Sequence, residues 1–184
     1  MAGVYECILY SHQGVAMFYE ITTTQFTKML NNLDAILDKA QSHAESKKID
    51  VEVLLNSRLI ADQFNLIRQV QIACDTAKLC ASRLSGKEAP AHEDNEKTLS
   101  ELKARIGKVT AYLATFSKND FDSAEERHIS QPRWEGKYLN GFEFFTQHAI
   151  PNFYFHVTTA YAILRHNGVD VGKKNYLGEM PFKK

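Results

Sequence analysis

The stretch from Gly141 to Gly168 constrains the fold of this chain more than any other. Phe144, Phe145, Ile150, Phe153, Phe155, Val157, Tyr161 and Leu164 place apolar residues on nearly every side of the helix it would form. A helix apolar all round is expected to lie buried among others. Asn140 can cap its start, because its side-chain oxygen can accept a free first-turn N–H. Asn167-Gly168 can end it, since glycine takes the left-handed conformation at little cost. Arg165 and His166 suit the negative end of its dipole. Pro151 lacks the N–H that would bond back to Gln147, and its ring crowds that carbonyl, so a kink or a fresh helix start is expected there. A bend that opens a pocket and two shorter helices in tandem both satisfy that constraint.

Asn152 and His156 stand four apart and therefore share a face. The same stripe reaches back to His148 and forward to Thr159 or Ala160. A histidine and an amide inside an aromatic helix need hydrogen-bond partners if they are buried. One reading makes His156 a metal ligand or a general base. The other makes it a core histidine bonded to a neighbouring helix, and the spacing alone matches no established metal motif.

Three further helical patterns precede this one. From Thr24, Phe26, Met29, Leu30, Leu33, Ile36, Leu37 and Ala40 recur at spacings of three and four. The pattern fades into a charged loop at His43–Lys48, and Ile49–Leu59 reads as a short turn packed over the bundle end. A second helix is expected over Asp62–Leu84, with Phe64, Ile67, Cys74, Ala77, Ala81 and Leu84 as its core positions and Gly86 as its stop. It carries Arg68, Gln71, Asp75 and Lys78 along one stripe, and Asn65 and Gln69 along another. The first stripe could line a polar pocket, but reads better as a water-facing surface with a weak Asp75–Lys78 pair. Lys87–Lys97 contains Pro90 and reads as a connecting loop with His92 exposed. A third helix spans Glu96–Phe116 with Leu99, Leu102, Ile106, Val109, Leu113 and Phe116 inward, and Gly107 suggests a close helix approach. Residues 121–139 suggest a small two-stranded excursion or an ordered loop, with Trp134 covering one end of the bundle. The glycine-containing tail after Gly168 is expected to fold back over the helices.

At 184 residues the chain is most simply one domain, residues 17–184, behind an N-terminal extension at 1–16. Its formal net charge is zero, so no electrostatic footprint for nucleic acid or an anionic membrane is expected. No run of 18 apolar residues suggests a membrane span, and no basic segment before an apolar run suggests a secretory signal. Cys7, Cys74 and Cys80 show no redox or metal spacing, and a reducing cytoplasm fits them best. Four long helical patterns joined by medium connections point to an all-α four-helix bundle.

The run Pro151-Asn152-Phe153-Tyr154-Phe155-His156, followed by Thr158-Thr159-Ala160-Tyr161 and Ile163-Leu164-Arg165-His166-Asn167-Gly168, resembles the hallmark of an uncharacterised bacterial family grouped with the DinB/YfiT-like four-helix proteins. Arg58-Leu59, Gln69-Val70-Gln71, Arg83-Leu84 and Tyr176-Leu177-Gly178 support the resemblance, which covers about Met17 to Gly178. It implies an up-down-down-up bundle and a homodimer. In many such relatives three histidines, one on the second helix and two on the last, hold a divalent metal, and some activate a thiol cofactor for transfer chemistry. By that pattern His156 stands at the second of the last-helix pair, Asn152 where the first would be, and no histidine occurs between Asp62 and Leu84. Two of the three expected ligands are therefore absent. The resulting candidate pocket comprises His156, Asn152 and His148 with Asp62 and Gln69 from the second helix. A small-molecule ligand, a degenerate metal- or thiol-dependent transferase and a purely scaffolding homodimer are the functional expectations.

Overall fold

A computed structural model describes residues 14–183. Cys7, His12 and most of the 1–16 extension lie outside the described residues. Helix α1 covers residues 14–47 and so begins ahead of Met17. It widens into a π turn at Glu20–Gln25, where the Thr22 and Thr23 hydroxyls donate back to the carbonyls of Phe18 and Tyr19 at 2.5 and 2.6 Å. It then continues as a regular helix over Phe26–Lys47. Every core position expected for it is buried. The helix does not stop at the charged run: Ala44, one step beyond Ala40, is also buried, so the inward stripe outlasts the fading of the sequence pattern. Lys48, in the left-handed conformation, ends it.

Helix α2 (Val51–Leu55) is capped by Asp50 and closes the bundle end with Leu54 and Leu55. Helix α3 (Leu66–Ser85) is capped by the Asn65 side-chain oxygen Oδ1 accepting from Arg68 N–H, and ends at Gly86 with φ 76°. This start corrects two expectations. Asp62 lies outside the helix, on an exposed turn, and Phe64 is 57% exposed rather than in the core. Segment 87–98 has no regular structure, and it leads into helix α4 (Leu99–Leu113) through a Thr98–Glu101 capping box. The expected α4 core positions are all buried, as is Phe116 just past its end. Gly107 has open space where a side chain would stand, so it marks no close approach.

Strands β1 (Ile129–Ser130) and β2 (Tyr138–Leu139) pair antiparallel, with Ile129 opposite Leu139, and form the expected small excursion. Helix α5 spans residues 141–166. Asn140 caps it, accepting from Glu143 N–H at 2.9 Å. A π turn at Phe144–Ala149 follows, and the regular helix resumes over Ile150–His166. Pro151 thus sits in the first turn of the resumed helix, where a missing N–H costs least. The rod stays continuous, and the restart rather than a sharp bend accommodates the proline. It is not buried all round: Phe142 and Phe155 are 44% and 56% exposed. Helix α6 (Lys173–Leu177) folds the tail back on α1, where Asn32 donates to the Tyr176 carbonyl at 3.0 Å.

Side-chain partners define the topology. α1 and α5 run parallel: Phe18 meets Phe145 (ring centroids 4.9 Å apart) and, further along both, Phe26 stacks on Phe153 at 4.1 Å. α3 and α5 run antiparallel, since Gln69 meets His156 whereas Thr76 meets Asn152. α1 and α4 are also antiparallel, with Asp34 and Asp38 on Lys103 and Glu20 near Lys118. Segment 87–98 returns along α3, so that α4 starts beside the start of α3 and runs parallel to it. The bundle is therefore up-down-down-up, with one continuous core.

That returning segment overturns the reading of the α3 polar stripe as a water-facing surface. Gln71 and Lys78 are only 3% and 4% exposed. Arg105 of α4, 2% exposed, reaches Asp75 at 2.8 Å, Asp94 at 2.7 Å and Glu96 at 2.9 Å. Arg68 pairs with Asp94, Gln71 donates to Glu96 at 2.9 Å, and Lys78 contacts Asp75 and His92. His92 is accordingly tucked against α3 rather than exposed, its side chain 11% accessible. Burial works against the Glu96 carboxylate, but hydrogen bonds from Arg105, backbone N–H and Gln71 outweigh it and hold its pKa below the usual range. Asp94 is held low in the same way by Arg68 and Arg105.

Candidate functional site

The antiparallel α3–α5 seam carries a polar ladder. On α5, His148, Asn152 and His156 follow one another at steps of four; on α3, Gln69, Thr76 and Arg83 follow at steps of seven. Both spacings keep side chains on one face. His156 is 7% exposed, and its Nδ1 lies 2.7 Å from the Gln69 side-chain oxygen. Gln69 directs its amide nitrogen to the Phe64 carbonyl at 3.0 Å, which leaves its oxygen to accept. The ring proton of His156 therefore sits on Nδ1, and Nε2 keeps its lone pair. Burial, with help from Arg68, pushes the His156 pKa down to about 4. At neutral pH the ring is an uncharged hydrogen-bond acceptor.

Asn152 donates from Nδ2 to the Thr76 hydroxyl at 2.7 Å, and that hydroxyl donates to the Ile72 carbonyl at 2.7 Å. His148 accepts at Nε2 from Arg133 at 2.8 Å and stacks on Phe144, while Trp134 meets its edge. Burial first, then the charges of Arg133 and Arg83, hold the His148 pKa below the ordinary histidine value.

These side chains surround a cavity of about 380 Å³ between α3, α5 and the hairpin. Its wall includes Arg68, Thr76, Arg83, Gln131, Arg133, His148, Asn152 and His156, with Ile72, Leu79 and Phe144 as apolar surfaces. Of the residues picked out in the sequence, His148, Asn152 and His156 converge on it. Gln69 stands behind His156 as its anchor, and Asp62 is absent from the wall. Thr76, Arg83, Gln131 and Arg133 were missed. The seven-residue step from Gln69 through Thr76 to Arg83 was a usable signal for two of them; the hairpin residues arrive only through tertiary folding. A wider groove of about 740 Å³ lies beside α1 and the end of α4. It holds no histidine and no unpartnered buried donor, so the smaller cavity is the candidate site.

The donor set does not fit the three-histidine metal site of the wider superfamily. His156 offers one nitrogen, Asn152 at most a neutral carbonyl oxygen, and α3 presents Gln69 and Thr76 on the facing side. Among the described residues no three His, Cys, Asp or Glu side chains gather as metal ligands would. Cys74 and Cys80 are free but fully buried; burial pushes the Cys74 thiol up to about 12 and raises Cys80 as well, so neither is poised as a nucleophile. No helix among the described residues is long and apolar enough to cross a membrane.

A comparison with curated proteins finds no match. Among solved structures, the chain is similar to the crystal structure of a DinB family member protein from Shewanella denitrificans. The two share 62% identity over 94% of this chain and 98% of that one, with a TM-score of 0.92. Residues 18–177 match the family described as Domain of unknown function (DUF1993). The bundle, the motif on α5 and these two matches agree: the chain belongs to the DUF1993 family, within the DinB-like helical proteins.

Proposed function

We propose that this protein binds a small molecule in the α3–α5 cavity. The observation that carries the reading is the ladder itself. Three α5 side chains turn toward one cavity, and each is pinned by a partner from another element: His148 by Arg133, Asn152 by Thr76 and His156 by Gln69. Such pinning fixes rotamers in advance, and a preorganised site loses less entropy on binding. His156 Nε2 would accept a hydrogen bond from the ligand. A ring with a pKa of about 4 is a weak base, so its role is orientation rather than proton abstraction. The buried free thiols of Cys74 and Cys80 suit a reducing compartment.

A thermal-shift screen of metabolites on wild type and Asn152→Ala in parallel tests the reading. At least one compound is expected to raise the wild-type midpoint and to raise the variant's by clearly less. If no compound separates the two proteins, the cavity is not a ligand site.

A further inference from the structure

This inference rests on the cavity reading above and adds the chemistry of its ligand. The hairpin end of the cavity brings together Arg83 of α3, Arg133 and Gln131 of the hairpin, and His148 of α5. The charges there are unbalanced. Among the described residues neither Arg83 nor Arg133 has a carboxylate within ion-pair distance, whereas Arg68, at the other end, is paired with Asp94. Asp75 also lines the cavity, but it is already held by Lys78 and Arg105, each at 2.8 Å. Burial, opposed by Cys80 and reinforced by Arg133, lowers the Arg83 pKa below the usual arginine value. Two guanidiniums beside one cavity, neither matched by a carboxylate, are a receptive pair for an anion.

A second observation, independent of charge, points the same way. A guanidinium can only donate, so His148 Nε2, 2.8 Å from Arg133, accepts, and the ring proton sits on Nδ1. That Nδ1–H is buried without an acceptor among the described residues, and so is the Gln131 amide nitrogen. Buried donors without acceptors are rare in native proteins. Four donor-bearing side chains thus line one end of the cavity, and among the described residues the chain meets one of their donors there, the Arg133 N–H on His148 Nε2.

We infer that this end is an anion subsite, and that the ligand is a small organic acid or phosphate ester whose anionic group is held by Arg83 and Arg133, with the unpartnered donors of His148 and Gln131 close behind them. Ile72, Leu79 and Phe144 give its carbon skeleton an apolar wall. At the far end His156 Nε2 accepts from a hydroxyl or amine. His148 and His156 lie about 12 Å apart along the helix axis. Allowing ~3 Å for a hydrogen bond at each end leaves ~6 Å between the ligand's polar groups, the span of a short hydroxy acid.

The probes are para-hydroxybenzoate, its neutral amide and inorganic phosphate, titrated calorimetrically into the full chain. The acid is expected to bind at least about tenfold more tightly than the amide, as a charge-assisted pair should. In Arg133→Gln, an exposed position whose change leaves the fold intact, that advantage shrinks; in the double variant with Arg83→Gln it disappears. Phosphate competing with the acid assigns the subsite to phosphate-type groups as well, and phosphate without effect restricts it to carboxylates. Equal binding of acid and amide overturns the inference, as does an acid advantage that survives both substitutions, or no binding of either anion at millimolar concentration. The cavity reading fails separately. If the amide binds, and Asn152→Ala weakens it, the cavity remains a ligand site while the anion subsite is lost.

Discussion

Replacing Arg105 with methionine should be among the most damaging single changes outside the apolar core. The side chain is 1% exposed and bridges carboxylates from two places, Asp75 on α3 and Asp94 and Glu96 on the returning segment. Methionine keeps the apolar stem but removes the guanidinium, and leaves those three acids facing one another, with Lys78 and Arg68 as the remaining counter-charges. Removing one partner of a buried ionic group costs about 3–5 kcal/mol. For a chain of this size each kcal/mol lowers the midpoint by roughly 2–4 °C, so Arg105→Met should melt about 6–20 °C below wild type. Lys103→Met is the control: its pairs with Asp34 and Asp38 are partly exposed, and it should cost no more than about 1 kcal/mol. The pH dependence has a defined sign. Asp94 and Glu96 are held below their ordinary pKa values in the folded state. Their contribution is therefore complete above an unfolded carboxylate pKa of about 4 and is lost as pH falls through the depressed folded values. The gap between wild type and Arg105→Met should thus be widest near neutral pH and narrow in acid. Urea unfolding followed by helical circular dichroism, at neutral and acidic pH, measures both quantities. A cost below about 1 kcal/mol at neutral pH, or a gap indifferent to pH, would refute the assignment of Arg105 as the charge that holds segment 87–98 to the bundle.

Three further outcomes are expected. His156 is neutral in the fold with its pKa near 4, against about 6.5 unfolded, so stability should decline as pH falls from about 6.5 through 4; a His156 imidazole titrating near its unfolded value in a nuclear magnetic resonance pH series would contradict the buried geometry. Gly141→Ala would drive a methyl group into the carbonyl oxygen of Ala124, at the point where Gly141 N–H bonds Glu125 at 2.9 Å, and should destabilise by about 1–3 kcal/mol or more in chemical unfolding. Cys74 and Cys80 should stay unreactive toward an aromatic disulfide reagent until the protein unfolds; rapid modification of either in the native protein would show that the α3 core opens.

What could be read from the sequence follows the range of the forces involved. The inward faces of α1 and α4 were legible because Phe26 to Ala40 and Leu99 to Phe116 repeat within a few residues, and periodicity reports local geometry. The caps at Asn140 and Gly86 were legible for the same reason. The α3 polar stripe was misread because its burial depends on Asp94, Glu96 and Arg105, which are remote in sequence from Gln71 and Lys78. Arg105 itself falls between Leu102 and Val109 on the edge of the α4 core face, a position at which a charge needs a partner, and that clue was present. The site was half legible. His148, Asn152 and His156 share a helix and declared themselves by spacing, whereas Arg133 and Gln131 come from a hairpin whose docking no local pattern encodes. Asp62 and Phe64 were misplaced because α3 begins only after its Asn65 cap, later than the apolar pattern suggested.

The wide turn at Phe144–Ala149 holds one residue more than the same rise of ordinary helix would. Deleting a single residue ahead of His148 would let that turn tighten while the remainder of α5 kept its seat against α3. Both flanks would keep their azimuth, because the turn gives up only its surplus residue, whereas the same deletion in regular helix would rotate everything ahead of it by about 100°. Arg133 and Gln131 would be carried away from Asn152 and His156 only by a deletion in the regular stretch that begins at Ile150, which has no surplus residue to give. The wide turn is therefore a place where α5 can lose a residue and leave that mouth of the cavity assembled.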